Sequence, residues 1–204
     1  MDRQQFLAAL ALTGLGILAP EGAHAAALTE GDAAAGVRAA LERGAAAAVG
    51  LLGQKDGFLG NPKVKIALPG YLNDAAKLMK STGQGKKVDE LVTAMNRAAE
   101  SAVPEARSLL VDAARSISVE DALHIVRGGE TSVTEFFSRK TREPLGVKFL
   151  PIVTRATERV ALAEKYNALA GQAASLGLLK KQDANIQQYV TGKALDGLYL
   201  MIGE

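Results

Sequence analysis

The chain has 204 residues, 48% apolar and 23% charged, a balance that suits a folded domain and excludes disordered and collagen-like classes. It contains no cysteine, which removes disulfides, thiolate nucleophiles, iron–sulfur clusters and cysteine-ligated zinc together. The formal net charge is only +2, basic and acidic residues are interleaved, and aromatics are 4%, so nucleic acid is not an expected partner.

Residues Phe6 to Leu18 form an uncharged apolar run of 13, short of the ~20 that a membrane-spanning helix needs. The run has the length of a signal-peptide core, and Ala23-His24-Ala25 supplies the small-x-small pattern read by a signal peptidase. Arg3-Gln4-Gln5-Phe6-Leu7 looks like a twin-arginine signal whose second arginine has become glutamine, so the general secretory route is equally open. Residues 1–25 are therefore expected to be a cleaved signal, and 26–204 a periplasmic helical domain that does not span the membrane.

From Thr29 the pattern is helical. Thr29 and Asp32 are candidate caps, Val37, Leu41, Ala45, Val49 and Leu52 recur at helical steps, and Gly53 is placed to end the helix in a left-handed conformation. Residues 55–69 are the one sizeable non-helical stretch: Asp56-Gly57 and Asn61-Pro62 are turn dipeptides. Val64, Ile66 and Leu68 then alternate with Lys63, Lys65 and Ala67. No second strand pattern exists to pair with this segment, which predicts an extended arm lying across helices.

Helices resume over Leu72 to Met79, closed by Gly83 and Gly85, and over Val88 to Ser116, broken or kinked at Pro104. Ser118 caps a short helix ended by Gly128-Gly129, and Ser132-x-x-Glu135 reads as a capping box opening the helix of Phe136 and Phe137. Pro144 is placed near the start of a further helix that runs through Val153 and Val160 towards Leu169, and Asp183 precedes a last one through Ile202. The expectation is an all-α, single-domain bundle of about seven or eight helices with one extended arm.

Several blocks resemble one uncharacterised family of exported bacterial proteins, the domain of unknown function 4197. They are Asp56-Gly57-Phe58 with Asn61 and Val64-Lys65-Ile66, then Asn96-Arg97-Ala98-Ala99-Glu100 to Val103-Pro104. Glu120-Asp121-Ala122, Gly128-Gly129 with Thr131, Phe137 with Thr141, and Phe149 to Val153 follow. The longest is Tyr189 to Leu198. The resemblance implies an export signal and an α-helical domain, and it brings no activity with it. Similar proteins continue past the final helix into a charged segment with prolines and arginines, whereas this sequence stops at Met201-Ile202-Gly203-Glu204.

After the signal, His124 is the only histidine, so neither a zinc site nor a Ser/His/Asp triad finds its ligands or its base, and no metal or cofactor is expected. Gly83-Gln84-Gly85-Lys86-Lys87 fails as a phosphate loop, because Lys80 stands where the motif wants glycine and Lys87 where it wants a hydroxyl. Gly128, Gly129 and Thr131 could present free N–H groups to an anion at a helix start, although two glycines between helices are also an ordinary cap.

The most informative polar group is Asn96, Arg97 and Glu100 on one helix, with Lys193 and Asp196 three apart on the last. In small apolar surroundings such charges must be paired. The group is expected either to be a structural network, with Arg97 on Glu100 or Asp196, or to be the polar end of an apolar pocket. No catalytic set emerges. The function expected is non-catalytic binding of an apolar or amphipathic ligand, or of a partner, between helices. The alternatives are a structural or assembly protein of the cell envelope and an acid-based hydrolase.

Overall fold

The first long helix, α1 (Glu30–Leu52), buries Ala34, Leu41, Ala45, Ala48, Val49 and Leu52 along one stripe, as a three-and-four spacing of apolar residues requires. This computed structural model describes residues 30–129, 131–159, 166 and 186–204. The expected signal segment, the Thr29 cap, the helix beyond Val160 and the Asp183 cap lie outside the described residues.

The chain then turns through the arm and a 3₁₀ turn, Gly70–Leu72, into α2 (Asn73–Ser81) and α3 (Gly85–Ala102). Between them Gly83 adopts a positive φ of 79°. Its N–H donates to Lys80 O and that of Gln84 to Met79 O, the paired bonds of a left-handed helix stop. A second 3₁₀ turn, Val103–Ala106, carries Pro104 and separates α3 from α4 (Arg107–Arg115), so the proline does divide two helices. In α5 (Val119–Arg127), Ser118 accepts the N–H of Asp121 as its cap.

The last described helices are α6 (Ser132–Arg159) and α7 (Ile186–Gly203). They form the most extensive helix pair of the described residues, with α1 and α3 packed against α7 and with α3, α4 and α5 packed against α6. α7 is apolar around most of its circumference, which fits a helix with neighbours on several sides. The all-α expectation holds, with seven α-helices and no strand among the described residues.

Three local expectations are corrected. Pro144 does not start a helix; it and Pro151 lie inside α6. Each removes a donor to the carbonyl four residues earlier, at Lys140 and Val147, and both of those residues are exposed, so water can take the donor's place. Gly53 is not left-handed. Its side chain is excluded by proximity instead, since a Cβ there would stand 2.8 Å from Val49 O and 3.0 Å from Pro104 Cγ. The expected box at α6 does not form: Ser132 Oγ donates to Ile125 O, and Glu135 instead accepts the hydroxyl of Thr131.

Candidate functional site

The arm is extended only in its second half. From Gly53 to Lys65 it coils through successive turns, with Gly57 N donating to Gln54 O, Gly60 N to Asp56 O, and both Val64 N and Lys65 N to Asn61 O. Asp56 is the one non-glycine residue described with positive φ, 68°, a conformation that Asp tolerates better than most. Gly57 passes so close to the end of α1 that a Cβ would fall 2.5 Å from Leu51 O. From the last of these turns onward, Val64 and Ile66 are buried and Lys63, Lys65 and Ala67 exposed, in the alternation expected.

An extended segment without a sheet must satisfy its backbone elsewhere, and here α3 provides the partners. Asn96, fully buried, accepts from Ile66 N at 2.8 Å and donates to Ile66 O at 2.9 Å. Its amide thus occupies the place of a neighbouring strand. One turn later, the buried Glu100 accepts both Phe58 N and Leu59 N on Oε1, each at 3.1 Å. Its Oε2 takes Arg97 Nη1 at 2.6 Å, and Arg97 Nη2 reaches Asp56 Oδ1 at 2.7 Å. The hydrogen bonds that Arg97 donates to Glu100 first, and then to Asp56, raise the guanidinium above the ordinary arginine range, so it stays charged.

Asn96, Arg97 and Glu100 therefore form a clasp that fixes the arm. Asp56 completes it; the sequence marks Asp56 only as a turn residue, because its partner is 41 positions away. Lys193 and Asp196 belong to a different group. Asp196 is shared by Arg142, through a short hydrogen bond, and by Lys193 at 3.7 Å, and Arg142 also lies over the Tyr199 ring at 5.5 Å. Arg97 is paired with Glu100 and Asp56 and not with Asp196.

The second group borders a cleft of about 320 Å³ between arm residues 63–67 and α7. Val64, Ile66, Gly197 and Leu200 form its apolar lining, and Lys63, Lys65 and Lys193 stand around it. Tyr189 spans one end, its hydroxyl donating to Ala67 O at 3.0 Å. Gly197 allows the arm to approach, since a Cβ there would lie 3.0 Å from the Phe58 ring and 3.1 Å from Val64 Cβ. A second hollow of about 320 Å³ flanks the arm on the side of α2 and α3, with Lys65, Lys77, Lys80 and Asp89 among its lining.

At the start of α6, Glu135 accepts from Thr131 Oγ1 at 2.8 Å and donates its own N–H to Thr131 O. A carboxylate thus stands at the first turn, where an incoming anion would meet like charge. Gly128 is extended rather than left-handed, and a Cβ on it would fall 2.5 Å from Ser132 Cβ; nothing within 4 Å restricts Gly129. Gly128, Gly129 and Thr131 are thus accounted for as a tight interhelix connection. His124 is exposed on α5 beside Glu120 and Arg127, and Asp121 is engaged by Ser118 and Arg139. Among the described residues no group of three His, Asp or Glu side chains gathers, and no helix is long and apolar enough to cross a membrane.

The fold and the cleft define a helical protein with an arm inlaid between α3 and α7. The chain belongs to the family described as protein of unknown function (DUF4197), whose model matches residues 27–204. No curated protein and no solved structure matches it.

Proposed function

We propose that this is an exported, periplasmic, non-catalytic protein that binds an amphipathic small ligand in the cleft between the arm and α7. The observation that carries the reading is the cleft itself, whose apolar lining of Val64, Ile66, Gly197 and Leu200 is edged by lysines. Its volume of about 320 Å³ lies at the small end of ligand sites, and such sites combine an apolar body with a few polar groups. Two of the carboxylates singled out from the sequence are engaged in protein contacts. Glu100 has protein donors on both oxygens, and Asp196 has two cationic partners.

The test is native mass spectrometry of protein taken from the periplasm of its own host. The expected result is a chain beginning at Ala26 with a co-purified small molecule, lost on Ala67→Phe, which fills the cleft from an exposed arm position. A ligand-free mass, together with no binding to a panel of anionic, neutral and cationic amphiphiles, overturns the binding reading. A chain retained in the cytoplasm with residues 1–25 intact overturns export.

A further inference from the structure

The cleft's charges do not balance. Among the lining residues Lys63, Lys65 and Lys193 are cationic and Asp196 alone is anionic. Lys63 pairs with Glu204 at 2.8 Å, and Asp196 is shared by Lys193 and by Arg142, both Glu204 and Arg142 lying outside the lining. Lys65, which also lines the cleft, has no acidic partner among the described residues. Three lining cations thus face one lining anion. The hollow on the arm's other side differs, because Lys77 is matched there by Asp74 and Lys80 by Asp89, leaving Lys65 alone in excess.

Lys65 stands on a fixed stretch of the arm. Its own N–H is held by Asn61 O, and the next residue is fixed through both backbone polar groups by Asn96. A charge on a fixed backbone loses less freedom on meeting a ligand than one on a mobile loop. Beside it, Leu200 is 40% exposed and offers apolar surface to a chain lying along α7.

We infer that the ligand is an anionic amphiphile, a carboxylate, sulfate or phosphate monoester on a short apolar chain, with its headgroup on Lys65 between Lys63 and Lys193. This rests on the reading of the cleft as a ligand site and adds the sign and the address of the headgroup. The excess cations attract the anion, and the low-dielectric wall of Ile66 and Leu200 strengthens that attraction over its value in open water.

The experiment is calorimetric titration of the delipidated periplasmic chain with decanoate, decyl sulfate, decanol and decyltrimethylammonium, each below its micellar concentration. The two anions are expected to bind, decanol about tenfold more weakly and the cation not measurably, with anion affinity falling as salt is raised. Lys65→Glu should weaken decanoate by about tenfold and admit the cation, and Lys193→Gln should weaken decanoate less. Lys86→Gln, at an exposed residue lining neither hollow, should change nothing. All these positions are exposed, so circular dichroism is expected to show an unchanged fold.

Equal affinity for decanol and decanoate, or Lys65→Glu behaving like Lys86→Gln, overturns the headgroup assignment and leaves the cleft reading standing. No binding by any of the four overturns the cleft reading and the inference together. Sedimentation with phosphatidylglycerol vesicles without binding of monomeric decanoate overturns the inference in favour of a membrane surface.

Discussion

Removing Glu100 should loosen the arm more than removing Arg97, although Arg97 carries the more visible ion pairs. Glu100→Ala deprives Phe58 N and Leu59 N of their acceptor, and the first of these lies in a fully buried stretch of backbone. A stranded buried N–H costs about 1–3 kcal/mol, the partly buried Leu59 amide falling at the low end. Loss of the charge-assisted bond to Arg97 brings the total to about 3–5 kcal/mol. Arg97→Ala leaves Glu100 with both backbone donors. Its side chain is 33% exposed and Asp56 54%, so the Asp56 pair is worth about 0–1 kcal/mol and the whole change about 1.5–3 kcal/mol.

For a domain of this size each kcal/mol moves the melting midpoint by about 2–4 °C, so Glu100→Ala should lower it by roughly 10 °C and Arg97→Ala by roughly half that. Glu100→Gln keeps an acceptor for both N–H groups and should fall between them. Amide hydrogen exchange localises the effect: Glu100→Ala should expose the amides of Phe58 and Leu59, and Asn96→Ala that of Ile66. Equal midpoints for Glu100→Ala and Arg97→Ala, or exchange at Phe58 and Leu59 unchanged by Glu100→Ala, would refute the reasoning.

Tyr199 is buried, and that burial holds its hydroxyl above the usual tyrosine range, partly offset by the hydrogen bond with Thr141 and by Arg142. Its folded pKa exceeds the unfolded value of about 10, so the unfolded chain loses its proton first and stability falls as pH rises above about 10. Tyr199→Phe should reduce that alkaline loss in thermal melts at pH 9 and pH 11, and an identical pH dependence in both proteins would contradict it. A second contrast concerns two glycines. Gly57→Ala should cost a few kcal/mol, because the new Cβ meets backbone at 2.5 Å, whereas Gly36→Ala in α1 meets nothing within 4 Å and should gain about 0.5–1 kcal/mol from helix propensity. Chemical denaturation of both variants checks the signs.

Local chemistry made much of the fold legible. The stripe from Leu41 to Leu52, the Ser118 cap, the break at Pro104 and the alternation of Val64 and Ile66 each depend on residues within a few positions of one another. Pro144 lies inside a helix because the carbonyl it releases, at Lys140, is open to solvent, and the exposure of Lys140 is a tertiary fact. The four-residue spacing of Asn96 and Glu100 put them on one face, but their partners are the backbones of Ile66 and Phe58, 30 and 42 positions away. Backbone groups leave no mark in a sequence, and neither Asp56 nor the cleft shared with α7 could be found from spacing.

Clasp and cleft are two sides of one segment, and this gives Asn96 and Glu100 a consequence beyond stability. Residues 63–67 supply much of the cleft's lining, while the polar bonds that fix the arm come largely from α3. The facing wall belongs to α7, which approaches the arm closely at Gly197. The position of the arm wall is therefore set in part by Asn96 and Glu100, which do not line the cleft. Asn96 and Glu100 act as positioning residues for the cleft. Whatever ordering a ligand imposes on the arm must also strengthen the clasp, because binding that favours the docked arm stabilises every contact that depends on docking.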